Sequence, residues 1–378
     1  VTPRDQLDIS AIRVLDGGMA TELEKLGCDL SGPLWSARVL RDQPELIAAV
    51  HDGYLQAGAD VILTASYQVS AEAYAEIRLS AEDAAASLEQ SVQLAERARE
   101  RFNQNSSRKV WSRNVWVGAS LGPYGAALHN GAEYHGNYDI SFDELVAFHA
   151  RRIEALAKTN ADLLAFESVP LQDEVRAITT ALEPYPNIAA WVTFTCKDEQ
   201  HIAHGESIAE CAAMLDSVPQ IIATGVNCTS PHFVTGLIHQ IRTATSKPIV
   251  VYPNSGEGWD AVNRRWTGEA DANSFGPFAQ QWTQAGAQII GGCCRTGPDH
   301  IRAVREMLLR LPIQQKDVQS EAELRSQRRA ADKRYVLRGA GMLAAIAAPS
   351  VLLSIGLASF FSYAESHPPK GGQGSPTD

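Results

Sequence analysis

Eight short runs of apolar and β-branched residues, separated by longer amphipathic stretches, constrain this chain more than any other feature. The runs fall at residues 12–16, 60–64, 115–120, 162–167, 189–195, 221–227, 248–252 and 288–292. Helical periodicity is read between them at 44–57, 81–102, 142–158, 172–182, 207–215, 231–243 and 273–285, and again at 298–309. Strands this uniformly apolar are buried on both faces, which calls for parallel strands covered by helices. The expected fold class is therefore α/β, a (β/α)8 barrel of the TIM type. Such a barrel needs about 250 residues, and the chain has 378. An open doubly wound sheet is the alternative that the same alternation allows.

A barrel would carry its chemistry at the C-terminal ends of its strands. Those ends read Asp16-Gly17-Gly18, Thr64-Ala65-Ser66-Tyr67, Ser120-Leu121-Gly122-Pro123, Glu167-Ser168, Thr195-Cys196, Asn227-Cys228, Tyr252-Pro253-Asn254 and Gly292-Cys293-Cys294. Polar groups and glycines gather there while the strand bodies stay apolar.

Six cysteines in a chain of this length do not form a disulfide scaffold. Residues 1–10 lack the apolar core of a signal peptide, so a cytoplasmic setting is expected, where cysteines read first as metal ligands or reactive thiols. Cys228 follows the sixth run, and Cys293 and Cys294 follow the eighth. Neighbouring residues in a strand face opposite ways. The vicinal pair can therefore share one ion only where the chain bends, and Gly291-Gly292 permits that bend. Three thiolates suit Zn²⁺ and leave a fourth position open for substrate or water. A vicinal disulfide, or three unrelated core thiols, would fit the spacing as well. Cys28 and Cys211 read as ordinary residues, and Cys196 as a rim residue that could add a ligand. The formal net charge of −11 argues against a nucleic-acid surface.

The expected domains are a barrel over 1–311, a charged linker over 312–338, an apolar segment over 339–364 and a polar tail over 365–378. The stretch 339–364 contains no Asp, Glu, Lys or Arg and exceeds the roughly 20 residues that cross a bilayer. Arg325, Arg328, Arg329, Lys333, Arg334 and Arg338 precede it. A C-terminal membrane anchor with its basic flank in the cytoplasm is thus expected. A polar insert at 104–114 reads as a surface loop.

The rim motifs resemble those of the homocysteine S-methyltransferases. The resemblance is carried by Gly291-Gly292-Cys293-Cys294-Arg295-Thr296-Gly297-Pro298 and Gly225-Val226-Asn227-Cys228. Leu15-Asp16-Gly17-Gly18-Met19, Leu63-Thr64-Ala65-Ser66-Tyr67-Gln68, Ser120-Leu121-Gly122-Pro123-Tyr124-Gly125 and Val251-Tyr252-Pro253-Asn254-Ser255-Gly256-Glu257 agree with it. It covers about 12–311; the polar insert and the C-terminal extension depart from it. Glu133-Tyr134-His135-Gly136-Asn137-Tyr138 is more similar to the stand-alone branch that uses S-methylmethionine or S-adenosylmethionine than to the betaine-using branch.

The resemblance implies that Cys228, Cys293 and Cys294 hold one Zn²⁺, and that Asp16 and Glu167 hold the homocysteine amino group. It implies methyl transfer from a sulfonium donor to homocysteine, giving methionine. Aromatic faces stabilise onium cations; Trp35, Tyr67, Tyr124 and Tyr134 are loop aromatics that could take such a role, but each reads first as a packing residue. Betaine as donor, selenocysteine as acceptor, and a non-catalytic, membrane-tethered zinc or thiol binder are the alternatives.

Overall fold

The computed structural model describes residues 7, 9, 11–30, 34–104, 114–260, 265–267 and 271–310. Eight strands form one parallel sheet: β1 (Arg13–Val14), β2 (Val61–Leu63), β3 (Trp116–Leu121), β4 (Leu163–Val169), β5 (Ala190–Phe194), β6 (Ile221–Asn227), β7 (Ile249–Tyr252) and β8 (Ala287–Ile290). Each neighbours the next in sequence, and β8 pairs with β1. A parallel bridge between Leu15 and Val61 joins β1 to β2. The amide of Asp60 donates to the Val14 carbonyl at 2.7 Å, and that of Asp16 to Val61 at 3.0 Å. The sheet therefore closes, as the (β/α)8 reading expects, and the open sheet is excluded.

The packing accounts for the apolar runs. One cluster draws Leu15, Val61, Trp116, Leu163, Trp191, Ile222, Val250 and Ile289 from all eight strand regions and none from a helix. A cluster of that origin is the barrel lumen. Leu7 and Ile9, which precede β1, join it. The opposite strand faces pack against helices in a larger cluster that includes Leu55, Leu88, Phe148, Ile178, Leu237 and Trp282.

The expected helices stand at Pro44–Ala57, Ala81–Gln104, Phe142–Leu156, Gln172–Leu182, Ile208–Asp216, Val234–Ala244, Ala272–Ala285 and Pro298–Arg310. Local chemistry starts several of them. Pro44 opens its helix at the first turn, and Ser141 with Glu144 forms a reciprocal capping box. Gly58 ends the first at φ 120°, a conformation that side chains oppose.

Several short elements were not expected. Helices Met19–Lys25, Trp35–Asp42, Ala71–Glu76 and Tyr124–Ala127, a 3-10 turn Ala132–Tyr134, and a hairpin Gly258–Asp260/Arg265–Thr267 sit in the loops that follow β1, β2, β3 and β7. They elaborate the end of the barrel where chemistry was expected.

Among the described residues no helix is long and apolar enough to cross a membrane. The expected linker at 312–338, anchor at 339–364 and tail at 365–378 lie outside the described residues, as does most of the polar insert, 105–113.

Candidate metal and substrate centre

The three cysteines expected to share a metal do converge. Their sulfurs all lie within 4.8 Å of one another, with Cys228 Sγ 3.7 Å from Cys294 Sγ. Backbone turns bring this about. Cys228, one residue past β6, adopts a left-handed conformation at φ 47°, which L-residues take at a cost. Past β8 the chain leaves the sheet. The Gly291 amide donates to Val251, that of Gly292 to Asp16, and that of Cys293 to Pro253 at 2.8 Å. A turn closes from the Thr296 amide to the Cys293 carbonyl, and Arg295 sits at φ 65°. A side chain at Gly291 would meet the carbonyl of Asp16 at 2.6 Å. Only glycine lets these two rim loops approach so closely.

The spacing fits a metal ion and not a disulfide. A disulfide needs about 2.05 Å between sulfurs, and all six cysteines are free. Sulfurs placed tetrahedrally about 2.3 Å from one ion would stand about 3.8 Å apart, close to the observed 3.7 Å. Cys294 is held well below the ordinary thiol range by hydrogen bonds from Cys228 and then Cys293, with the Tyr134 hydroxyl assisting against burial. Cys293 is pushed well above that range by its bonds to Cys228 and Cys294 and by burial. Cys196 is buried, with its sulfur 3.9 Å from the Phe194 carbonyl, and stands outside the sulfur cluster. Cys28 and Cys211 also stand outside it.

The two expected carboxylates occupy the same rim. Asp16 is 3% exposed and accepts the Leu63 amide at 2.8 Å. Burial raises its pKa well above the ordinary range, and the nearby charge of Glu167 adds to this. Glu167 is pushed up to about 7 by burial, opposed by hydrogen bonds from Ser120 and Tyr252. The Ser120 hydroxyl donates to Glu167 Oε2. Among the described residues no Lys, Arg or His pairs with either acid.

Sequence reasoning missed the residues that hold these groups. Asn227 Oδ1 accepts the Ser168 amide at 2.6 Å and the Thr193 hydroxyl at 2.8 Å, while its Nδ2 donates to Ser168 Oγ at 2.8 Å. Thr193 Oγ1 also lies 2.7 Å from the Tyr252 hydroxyl. This buried chain fixes Ser168 at φ 56° directly after Glu167. It also reaches the cysteines, since Asn227 Nδ2 is 3.9 Å from Cys293 Sγ. An asparagine and a threonine inside otherwise apolar strands were the available signal.

Of the loop aromatics, Tyr67 has its hydroxyl hydrogen-bonded to Ser168 and feels the charge of Cys228. The Tyr134 ring is 49% exposed while its hydroxyl reaches Cys294, so this residue links the mouth to the sulfurs. Tyr124 packs edge-on against Phe148 and Tyr138, the packing role. The Trp35 side chain lies outside the described residues.

A family model described as Homocysteine S-methyltransferase matches residues 13–308. The chain belongs to the homocysteine S-methyltransferase family. It is 46% identical over 298 residues to the homocysteine S-methyltransferase YbgG of Bacillus subtilis (strain 168), covering 79% of this chain and 95% of that protein. It is 41% identical over 311 residues to a selenocysteine methyltransferase of Astragalus bisulcatus, covering 78% and 92%. The metallated form of the homocysteine methyltransferase MmuM from Escherichia coli superposes with TM-score 0.70 at 40% identity, covering 78% and 96%. Membership of this family makes the chain a methyltransferase, and it makes the rim the place to seek substrate and metal.

Proposed function

We propose that the chain transfers a methyl group from a sulfonium donor, S-methylmethionine or S-adenosylmethionine, to the thiol of homocysteine, giving methionine, with Zn²⁺ held by Cys228, Cys293 and Cys294. One observation carries this reading. Two buried carboxylates without a cationic partner among the described residues share a rim with three converging sulfurs. An amino thiol supplies both what the acids lack and a further sulfur.

When bound, Zn²⁺ supplies a Lewis-acid site that favours the deprotonated form of an added thiol near neutral pH. The protein's own residues do the rest. Asp16 and Glu167 accept the substrate ammonium. The Leu63 amide fixes the first of these acids, and the Ser120 and Tyr252 hydroxyls fix the second. Gripping the ammonium sets the direction of the sulfur, which replaces a bimolecular search by a defined approach. The sulfur lone pair then forms a bond to the methyl carbon as the donor C–S bond breaks, and that electron pair returns to the donor sulfur. The donor is already activated as a cation, so no general acid is needed. The products are neutral thioethers.

A second reading changes the acceptor to selenocysteine. The identity to a selenocysteine methyltransferase favours keeping it. Methionine formation by the purified chain tests the main reading, with S-methylmethionine, S-adenosylmethionine and betaine offered separately, each with and without a chelator. A sulfonium donor should support turnover, and chelation should abolish it. Turnover from betaine alone, or turnover that survives chelation, would contradict it.

A further inference from the structure

The loop after β3 carries a buried acid that the mechanism above leaves unused. Glu133 lies in the 3-10 turn Ala132–Tyr134, which Gly131 enters at φ 84°. The turn is seated directly on the backbone of the short helix Tyr124–Ala127. A side chain at Gly125 would stand 2.5 Å from the Glu133 nitrogen and 2.6 Å from the Ala132 carbonyl carbon. Glu133 is 9% exposed; its carboxylate is hydrogen-bonded by its own backbone amide, and its Oε2 has no hydrogen-bond partner among the described residues. Its carboxylate interacts electrostatically with Cys294, Tyr67, Tyr134 and Tyr138. It therefore lies within electrostatic range of Cys294 and of three tyrosines, one of which, Tyr134, reaches Cys294 with its hydroxyl.

A neighbouring glutamate shows how this fold treats a structural acid. Glu174 is fully buried. It accepts the Tyr124 amide at 2.6 Å and the Tyr138 hydroxyl, and it pairs with His149 Nε2 at 3.0 Å. His149 Nδ1 meets Arg152 Nη2 at 2.9 Å, and Arg152 Nη1 donates to the Gly122 carbonyl at 2.9 Å. Glu174 is thus supplied with donors and linked through His149 to an arginine, and it clamps both ends of the segment that presents Glu133. Glu133 has neither a donor on Oε2 nor, among the described residues, a cation. Leaving a buried carboxylate in that state is costly, and a bound cation relieves the cost.

We propose that Glu133 is a donor-recognition residue that takes the α-ammonium of a methylsulfonium amino acid, beside the Tyr67 and Tyr134 rings. The proposal rests on the methyl-transfer reading and adds to it a second ammonium site, separate from Asp16 and Glu167. The chemistry selects the ammonium over the sulfonium. The sulfonium charge disappears as the methyl leaves, so a carboxylate placed on it would stabilise the donor more than the transition state. The ammonium keeps its charge throughout. A quaternary ammonium such as betaine has no N–H to donate to Glu133, so the residue favours sulfonium amino acids.

The test uses the full zinc-loaded chain with homocysteine and two methylsulfonium donors. S-methylmethionine carries the α-ammonium, and 4-(dimethylsulfonio)butyrate is the same skeleton without it. Glu133→Gln should raise the KM for S-methylmethionine roughly ten- to a hundredfold and leave zinc content and the homocysteine KM in place. Wild type should disfavour 4-(dimethylsulfonio)butyrate by a similar factor, and Glu133→Gln should add little to that loss, because both changes delete one interaction. Calorimetric binding of S-methylmethionine should fall in parallel. A KM for S-methylmethionine within twofold of wild type, an equal loss on the donor without the ammonium, or a rise in homocysteine KM instead would each overturn the proposal. If Glu133→Gln does not fold, the wild-type comparison decides, and equal KM values for the two donors overturn it. A wild type that transfers no methyl from either donor overturns the methyl-transfer reading and this proposal with it.

Discussion

Two pairs of acids, one at each end of the barrel, are treated in opposite ways. At the N-terminal end, Asp60 and Asp162 precede β2 and β4. Asp60 accepts the Val14 amide at 2.9 Å and pairs with Arg305, and Asp162 accepts the Val117 amide and Arg99, each at 2.7 Å. Each acid thus ties a strand to a helix. At the C-terminal end, Asp16 and Glu167 have an amide or hydroxyls to accept but, among the described residues, no cation. The upper end also pairs acids, Glu257 with Arg295 and Glu174 with His149, so the lack of a cation belongs to the acids beside the sulfurs. A fold able to pair its acids, yet leaving Asp16 and Glu167 without a cation among the described residues and beside three thiols, leaves their charge to be met by what binds there.

The largest difference should appear on removing a sulfur. Cys294→Ser should lower activity well beyond the roughly hundredfold typical of residues behind a metal ligand, and metal content should fall with it by elemental analysis. A variant that keeps its metal and its turnover would break the contrast at its upper end.

Next in size is a matched pair of charge deletions. Asp60→Asn removes the partner of Arg305 and should cost about 3 kcal/mol of stability in urea denaturation, with kcat/KM nearly unchanged. Glu167→Gln should do the reverse. It removes a charge already costly to bury, so stability should hold or rise slightly. The kcat/KM for homocysteine should fall roughly ten- to a hundredfold. Equal destabilisation by both variants would mean that the upper acids are structural after all.

The smallest effect is in pH. Burial pushes Glu167 up to about 7, so it is charged above that pH and neutral below it. Its grip on an ammonium is present above about pH 7 and is lost as pH falls. The homocysteine KM should therefore rise on acidification through about 7, and the rise should flatten in Glu167→Gln. An unchanged profile in the variant would assign the titration elsewhere.

Much of this contrast was legible in the sequence, but its electrostatic half was not. The eight strands stood out because burial on both faces leaves nearly unbroken apolar runs, as at Ile221–Asn227. The convergence of Cys228 with Cys293 and Cys294 followed once the strands were placed around a barrel. The helices Ala71–Glu76 and Tyr124–Ala127 and the turn Ala132–Tyr134 were missed, because two turns or fewer carry no reliable period. Glu133 therefore looked like any loop acid. Nor does a sequence reveal which acids acquire an arginine. Arg305 reaches Asp60 across 245 positions, and nothing local marks Glu167 as left without one. The left-handed backbones at Ser168 and Cys228 were equally hidden, since both are set by the buried network around Asn227 and the packing of adjacent loops.

The most direct test of the central claim is calorimetric binding of homocysteine and of 4-mercaptobutyrate, which keeps the thiol and lacks the amine, to the metal-loaded wild type and to Glu167→Gln. The account expects wild type to favour homocysteine by roughly a hundredfold, and the variant to lose most of that preference while retaining its metal. Equal affinity of wild type for the two thiols would contradict it, because the unpaired acids of the upper rim would then have no ammonium to receive.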